Sequence, residues 1–426
     1  MNQTTAMDDM QRRGTARDVL DVPAFRRIYI ATFISNAGRW MQMTSLGVLG
    51  WELTESSTYL GLLILAQLGP MSILSLVGGS LADTADRRNL LFGTQVWQMA
   101  WTLVLAALVI DDVVGESLLL VVVFIIGIGQ GLYAPIFTSI VPAIAGAENI
   151  KAAVSLNSIQ TNASRVVGPA IGGLLAATVG FAEVFAINGV GYVAVIFAIL
   201  RTDIPASTAA RGASFSDRVF GGFRVAWRAP QVGGPLLLMS LFAFFCLPFI
   251  GQLPAIAELN LGIDAQTPEY GWFYATFGLG GMAGAALVGT VLANVASRLM
   301  IRASLLGFAA TLAWLGSLRD LTVAYFAIFL VALFYFSLPT VLASVWQEHV
   351  DETVRGRVAA LWVLSFGGTV PIANAVAGPI IDATSLGTVI YAGAAMAVVL
   401  AALFRLRSGP VVGEEILAAT KTRPTI

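Results

Sequence analysis

The chain has 426 residues, 57% hydrophobic and only 12% charged, with a net charge of −1 and a mean hydropathy of +0.81. Soluble globular chains carry roughly 25% charged residues, so the composition excludes an ordinary water-soluble domain, and the near-zero net charge excludes a basic nucleic-acid binder. A single cysteine (Cys246) and a single histidine (His349) exclude an internal disulfide and a histidine-rich metal site.

Residues 1–22 are polar, and no small-residue cleavage site follows a short apolar core, so a cytoplasmic tail is expected rather than a cleaved signal. Apolar runs long enough to cross a hydrocarbon core, about 20 residues, follow at 26–51, 58–82, 90–110, 117–141, 152–179 and 182–200. After a polar stretch over 201–231, six more follow at 232–257, 269–293, 299–318, 321–346, 356–381 and 386–404, and 408–426 forms a second tail. The expectation is an all-α membrane protein of about twelve transmembrane helices in two pseudo-symmetric six-helix bundles, 23–200 and 232–407. In the central stretch Phe215, Val219, Phe223 and Trp227 recur every four residues, with Arg218, Arg224 and Arg228 on other faces. That pattern suits an amphipathic helix in the headgroup layer; a plain connector is the alternative.

Basic residues segregate to one side of these runs. Arg12, Arg13, Arg17, Arg26, Arg27, Arg87, Arg88, Lys151 and the central arginines fall together with Arg298, Arg302, Arg355, Arg357, Arg405, Arg407, Lys421 and Arg423. The opposite loops hold Arg319 alone, beside Glu55, Asp111, Asp112, Glu116, Asp264 and Glu269. The positive-inside rule therefore predicts a multi-pass protein of the inner (plasma) membrane with both termini cytoplasmic.

Ionisable and polar groups inside spans are functional candidates because they are costly there. The first span carries Asn36, Arg39 and Gln42 three apart; the fifth carries Asn157, Thr161 and Arg165 four apart. Arg39 and Arg165 lie about 13 residues from the inner ends of their spans, ~20 Å deep at 1.5 Å per residue. No carboxylate stands at that depth in the first half, since Glu52 and Glu183 are near the rim. Arg39 is read as cavity-facing, and Arg165 either as a helix-to-helix hydrogen bonder or as part of a moving element. Gln130 and Tyr133 beside Pro135, and Gln252 between Pro248 and Pro254, are candidate substrate groups because polar residues at helix breaks mark binding sites; interhelical hydrogen bonding is the alternative. Phe242, Phe244, Phe245, Phe334 and Phe336 make either an aromatic wall or a lipid-facing surface. The glycine clusters "GIGQG" (127–131) and "GLGGMAG" (278–284) follow no strand and are read as close-packing sites, not phosphate loops. His349 has a side chain suited to proton transfer, though an ordinary loop histidine fits as well.

The sequence repeats itself. Leu81-Ala82-Asp83-Thr84-Ala85-Asp86-Arg87 is echoed by Leu292-Ala293-Asn294-Val295-Ala296-Ser297-Arg298; Tyr59 maps to Tyr270 at the same offset, and Pro135 and Lys151 map near Pro339 and Arg355. Two related halves are the architecture of many secondary transporters.

Gly79-x-x-x-Asp83-x-x-x-Arg87-Arg88 resembles the loop signature of the major facilitator superfamily, departing from it at Thr84 and Asp86. Asp86 before two arginines, "SNAGRWMQ" (35–42), "SLNSIQTNASRVVGPAIGGLL" (155–175) and "RGRV" (355–358) are similar to its enterobactin-exporter and macrolide-efflux-like subgroup. The resemblance implies that Gly79, Asp83, Arg87 and Arg88 act as a conformational latch, with Arg355 and Arg357 on the matching loop of the second half; for the arginines, simple topology-setting is the alternative. Gly168, Pro169, Gly172 and Gly173 resemble the antiporter motif, a kinked thin helix that lets the halves rock. The implied protein is a monomeric, proton-coupled exporter of small organic molecules, without cofactor or metal. Arg39 stands where the subgroup usually has Thr, Ser or Asp, which removes an acidic coupling group from that position. An importer of a small polar or anionic solute and a non-transporting membrane sensor are the alternatives, while an enzyme lacks any nucleophile–base set. Because an unpaired buried cation is costly and arginine grips oxyanions in a planar fork, the substrate itself is expected to bring the negative charge, as a carboxylate or a catecholate-type chelator.

Overall fold

In hydrocarbon the backbone must satisfy its own hydrogen bonds, and the apolar runs accordingly fold as helices. The computed structural model describes residues 15–84, 86–204, 215–407 and 409–413; the side chains of 75–84, 147, 151, 215–221, 352 and 353 fall outside that description, as do most of the two expected tails. A short helix, Ala16–Asp21, is followed by six long ones: Pro23–Thr54, Ser57–Thr84, Arg87–Ile110, Glu116–Ala145, Ile150–Thr178 and Phe181–Leu200. The seventh long helix, Pro230–Cys246, runs on through broken turns to Asn260, because Pro248, Gly251 and Pro254 interrupt it. Then come Pro268–Gly289, Ser297–Ser317 and Leu321–Glu348; an eleventh span, Glu352–Val363, which passes through a π turn at Leu364–Gly368 into Thr369–Ala383; and Leu386–Leu403 as the twelfth.

Local chemistry sets the breaks. Glu55 adopts a left-handed conformation (φ 47°) that ends the first helix, and Gly180 (φ 103°) separates the fifth from the sixth. Asp86, Asp320 and Ser385 each cap the next helix, accepting from backbone N–H groups at 2.8–3.3 Å. Among the described residues, nine helices are long and apolar enough to cross a membrane, and a tenth qualifies only if joined to Gly222–Arg228, from which Pro230–Cys246 is bent by 110°. The first and fifth long helices fall short. They are the two that carry Arg39 and Arg165, so the shortfall from the expected twelve comes from the same polar groups that mark the interior.

Packing repeats at an offset of six helices. The second packs on the fourth as the eighth does on the tenth; the first packs on the sixth as the seventh does on the twelfth; the third packs on the sixth as the ninth does on the twelfth. Between the two sets, the second meets the eleventh and the fifth meets the eighth. These cross-contacts form a seam through the molecule. The face where 15–22, the central stretch and 409–413 lie is called here the terminal face, and its opposite the far face.

The central helix Phe215–Arg228 is present. It buries Gly222 and Val225 against the start of the eleventh span, where a Cβ on Gly222 would come 2.6 Å from the Arg357 carbonyl. Phe223 and Trp227 point outward instead. Residues 409–413 return to the second half: Val412 N–H donates to His349 O (2.8 Å), Asp351 N–H donates to Val412 O (3.1 Å), and Gln231 donates to Pro410 O (3.1 Å). His349 thus sits beside a strap, its ring Nδ1 2.7 Å from Val345 O.

Candidate functional site

The seam is close because glycine lines it. A Cβ on Gly168 would lie 2.5 Å from Ala37 O and Trp40 Cβ, and one on Gly172 would lie 3.0 Å from Met41 Cα, so these two press the fifth span onto the first. Gly173 faces the other way and meets the backbone of Gly271 in the eighth span. Gly278 lies against the Arg165 carbonyl, where a Cβ would approach to 2.7 Å. Pro169 lies within this run and removes one helical hydrogen bond.

At the middle of the seam the Arg165 guanidinium lies 5.3 Å from the Trp40 ring, in the first span, and 5.0 Å from the Phe336 ring, in the tenth. Cation–π contact on two faces offsets part of the cost of desolvating the charge. It does not satisfy the donors: Arg165 Nε and Trp40 Nε1 are both buried and without a hydrogen-bond partner. Tyr335, Arg39 and Tyr274 act on Arg165 electrostatically, and none is a carboxylate. Arg39 in turn acts on Tyr133 and Tyr192. Gln130 adds a buried carbonyl oxygen that accepts no bond. Tyr335 and Phe336 (4.2 Å between centroids) continue into Phe277, which stacks on Tyr335 at 6.0 Å. The first half therefore brings two arginines and the Trp40 ring to the seam, and the second half adds the Phe336, Tyr335 and Phe277 faces.

The far end is sealed by hydrogen bonds. The Asp382 carboxylate, from the eleventh span, accepts from the Ser56 hydroxyl (2.8 Å) and from the Ser57 and Thr58 N–H groups (2.9 Å each), at the start of the second. It caps that helix in trans, filling positions that its own N-terminus leaves open. Trp51 Nε1 donates to Glu258 (2.7 Å), and Gln252 donates to Ser57 O (3.1 Å). Glu52, just past the apolar stretch that ends at Trp51, opens with Glu55, Glu258 and Asp264 onto a cleft of roughly 480 Å³. Partial burial pushes the Glu52 carboxyl up to about 7; a hydrogen bond from Gln266 opposes this, and Asp264 and Glu258 add to it.

The sequence-derived candidates divide accordingly. Arg39, Arg165 and Tyr133 come together at the middle, while Gln130, one turn before Tyr133 on the fourth span, carries a buried oxygen that accepts no bond. Gln42 binds the first span to the sixth and third: its carbonyl oxygen accepts from Asn188 (2.6 Å) and Thr102 (3.3 Å), both beside Tyr192, on which Arg39 acts. Asn36 is buried on the same helix. Gln252 serves the far seal rather than the middle. Gly79 and Asp83 lie in the last turns of Ser57–Thr84, where side chains are outside the described residues. Arg88 donates to Leu200 O (2.8 Å), and Arg27 to Arg201 O, so both tie off the end of the sixth helix within the first half. Arg87 and Arg357 are engaged, and Arg355 is exposed near the start of the eleventh span. Of the five candidate phenylalanines only Phe336 reaches the arginine; Phe242 is buried against Phe308 and Tyr335, Phe244 and Phe245 pair edge to face, and Phe334 lies on Gly307. Trp40, Tyr274, Phe277, Tyr335 and Asp382 were not singled out by sequence reasoning.

Known proteins place this arrangement. The enterobactin exporter EntS of Escherichia coli O1:K1 is 28% identical over 356 residues, covering 80% of this chain and 81% of that protein; the exporter of Shigella boydii serotype 18 is 26% identical over 352 residues. The nucleoside transporter NupG shares the fold with a TM-score of 0.72 at 11% identity, over 89% of this chain and 98% of NupG. So does an inward-facing, unoccupied bacterial homologue of the human lysosomal transporter Spinster, with a TM-score of 0.64 at 15% identity, over 93% of this chain and 96% of that one. A family profile described as "Transmembrane secretion effector" matches residues 16–423. The chain belongs to that family, within the major facilitator superfamily, whose members are membrane transporters and not enzymes.

Proposed function

We propose that the protein is a proton-coupled exporter of small organic anions that works by alternating access. The terminal face is cytoplasmic and the protein sits in the bacterial inner membrane, as the basic residues on that face and the exporter relatives support. The halves divided by 201–231 rock about the seam, and the arrangement described is closed at the far end.

The observation that carries the substrate class is the pair of orphan donors, Arg165 Nε and Trp40 Nε1, buried within one cation–π contact of each other and near a second arginine, Arg39. A substrate oxyanion would satisfy both donors and balance the charge, while Phe336, Tyr335 and Phe277 offer flat apolar surface to the rest of the molecule. The relatives' substrate, enterobactin, marks siderophores as the first compounds to test.

The experiment measures accumulation of labelled acidic compounds in cells with and without the protein, repeated with a protonophore. Export predicts lower accumulation in expressing cells, restored by the protonophore. Higher accumulation on expression would assign import instead.

A further inference from the structure

On the terminal face the second half carries a groove of about 930 Å³, away from the arginine centre. Its walls are the central helix, the seventh span, the π turn of the eleventh span and the end of the twelfth. Apolar side chains line it, among them Phe223, Leu237, Leu241, Leu361 and Leu403, several of them open to the surroundings, and Trp227 is 89% exposed. Two charged side chains face it, Arg405 and Arg407, and among the described residues no acidic one lines it.

The chain geometry explains why those two arginines act together. The twelfth helix ends at Leu403, Phe404 is extended, and burial alternates along 404–407 as it does in an extended segment. Alternate residues of an extended segment share a face and lie about 7 Å apart along it. Phe404 and Leu406 turn toward the core of the second half, which leaves Arg405 and Arg407 exposed side by side. An apolar trough with a paired cationic mouth, beside an amphipathic helix and an interfacial tryptophan, matches the layering of one leaflet: chains below, phosphate above.

We propose that this groove is a binding site for an anionic phospholipid of the terminal-face leaflet, with an acyl chain between the seventh and twelfth spans and the phosphate on Arg405 and Arg407. The charges select the occupant. A zwitterionic lipid would gain the apolar contact but little from the arginines, whereas an anionic headgroup gains from both.

The test uses the purified full-length protein in a neutral detergent, titrated with phosphatidylglycerol or with phosphatidylcholine of the same chains, and bound lipid is counted by native mass spectrometry. Phosphatidylglycerol should bind more tightly. Arg405→Gln combined with Arg407→Gln should lower its affinity roughly 30-fold, about 2 kcal/mol at 1.4 kcal/mol per tenfold, and leave phosphatidylcholine unchanged. Gly234→Leu, which puts a side chain into the groove against the Phe404 ring and leaves both arginines in place, should weaken both lipids. Equal binding of the two lipids, or undiminished phosphatidylglycerol binding in the double variant, would overturn the proposal. So would phosphatidylglycerol binding that appears only after residues 414–426 are removed, because the chain's own tail would then be the occupant.

Discussion

The seam is held differently at its far end and at its middle. At the far end, short hydrogen bonds join named groups across it, and Asp382 satisfies three donors at once. At the middle the contact is an arginine between two rings, with donors left over. The Asp382 cap, with three donors satisfied, suits a closure that is either made or broken, although Gln252 Oε1 at the same end accepts no bond. An incomplete set suits a place that waits for a partner.

The largest effect should come from the backbone contact that both regions depend on. Gly173→Leu would drive a side chain into Gly271, and overpacking costs about 1–3 kcal/mol or more. Transport should be lost while the protein still reaches the membrane fraction. Gly93→Leu, where nothing lies within 4 Å, should transport normally, and equal loss in both variants would remove the seam from the explanation.

Next in size is the middle. A hydrogen bond to a charged group contributes about 1.5–3 kcal/mol, so Arg39→Gln should slow transport of acidic compounds roughly 10- to 100-fold and leave neutral ones nearly unchanged. A uniform loss over all charge classes would make Arg39 a bundle support, and the contrast between the two regions would fail.

Smaller again is the far end. Asp382→Ala removes a cap worth about 1–2 kcal/mol, which shifts the closed-to-open ratio roughly 5- to 30-fold. Spin labels at Glu55 and Thr384, in a Cys246→Ser background, should report a longer distance population. An unchanged distribution would mean that the Asp382 bonds do not hold the closure.

The smallest effect is pH dependence at the same end. The Glu52 carboxyl is raised from 4.5 to about 7 in the closed arrangement, so its contribution to closure is fully present at acidic pH and is lost as pH rises through about 7. The label pair should open slightly across that window, and Glu52→Gln should flatten the response.

How far the sequence went depends on what each residue looks like in isolation. Arginine within an apolar run stands out whatever surrounds it, so Arg39 and Arg165 were legible. Trp40, Phe277 and Tyr335 were not, because an aromatic residue in a span reads the same against lipid, core or substrate. Gln42 looked like Arg39 in sequence, but residues three apart on a helix drift by about 60° per step, and its hydrogen bonds to Asn188 and Thr102, on the sixth and third helices, had no local signal. Asp382 caps a helix that begins 325 residues earlier, and no local pattern announces a cap supplied in trans. The helix ends were easier, since Asp86, Asp320 and Ser385 are ordinary capping residues placed just before apolar runs.

The Gly173–Gly271 contact also fixes a lever ratio. In Ile150–Thr178, Gly173 stands 23 residues from one end and five from the other. At 1.5 Å per residue the two arms are about 35 Å and about 8 Å long. A roll of about 10° around that fulcrum would therefore move the terminal face by about 6 Å and the far end by little more than 1 Å. One ångström is enough to carry a 2.9 Å hydrogen bond out of range, so, were the second span to move as one body with the fifth, the Asp382 bonds at the far end would break on a movement that shifts the terminal face by several ångströms.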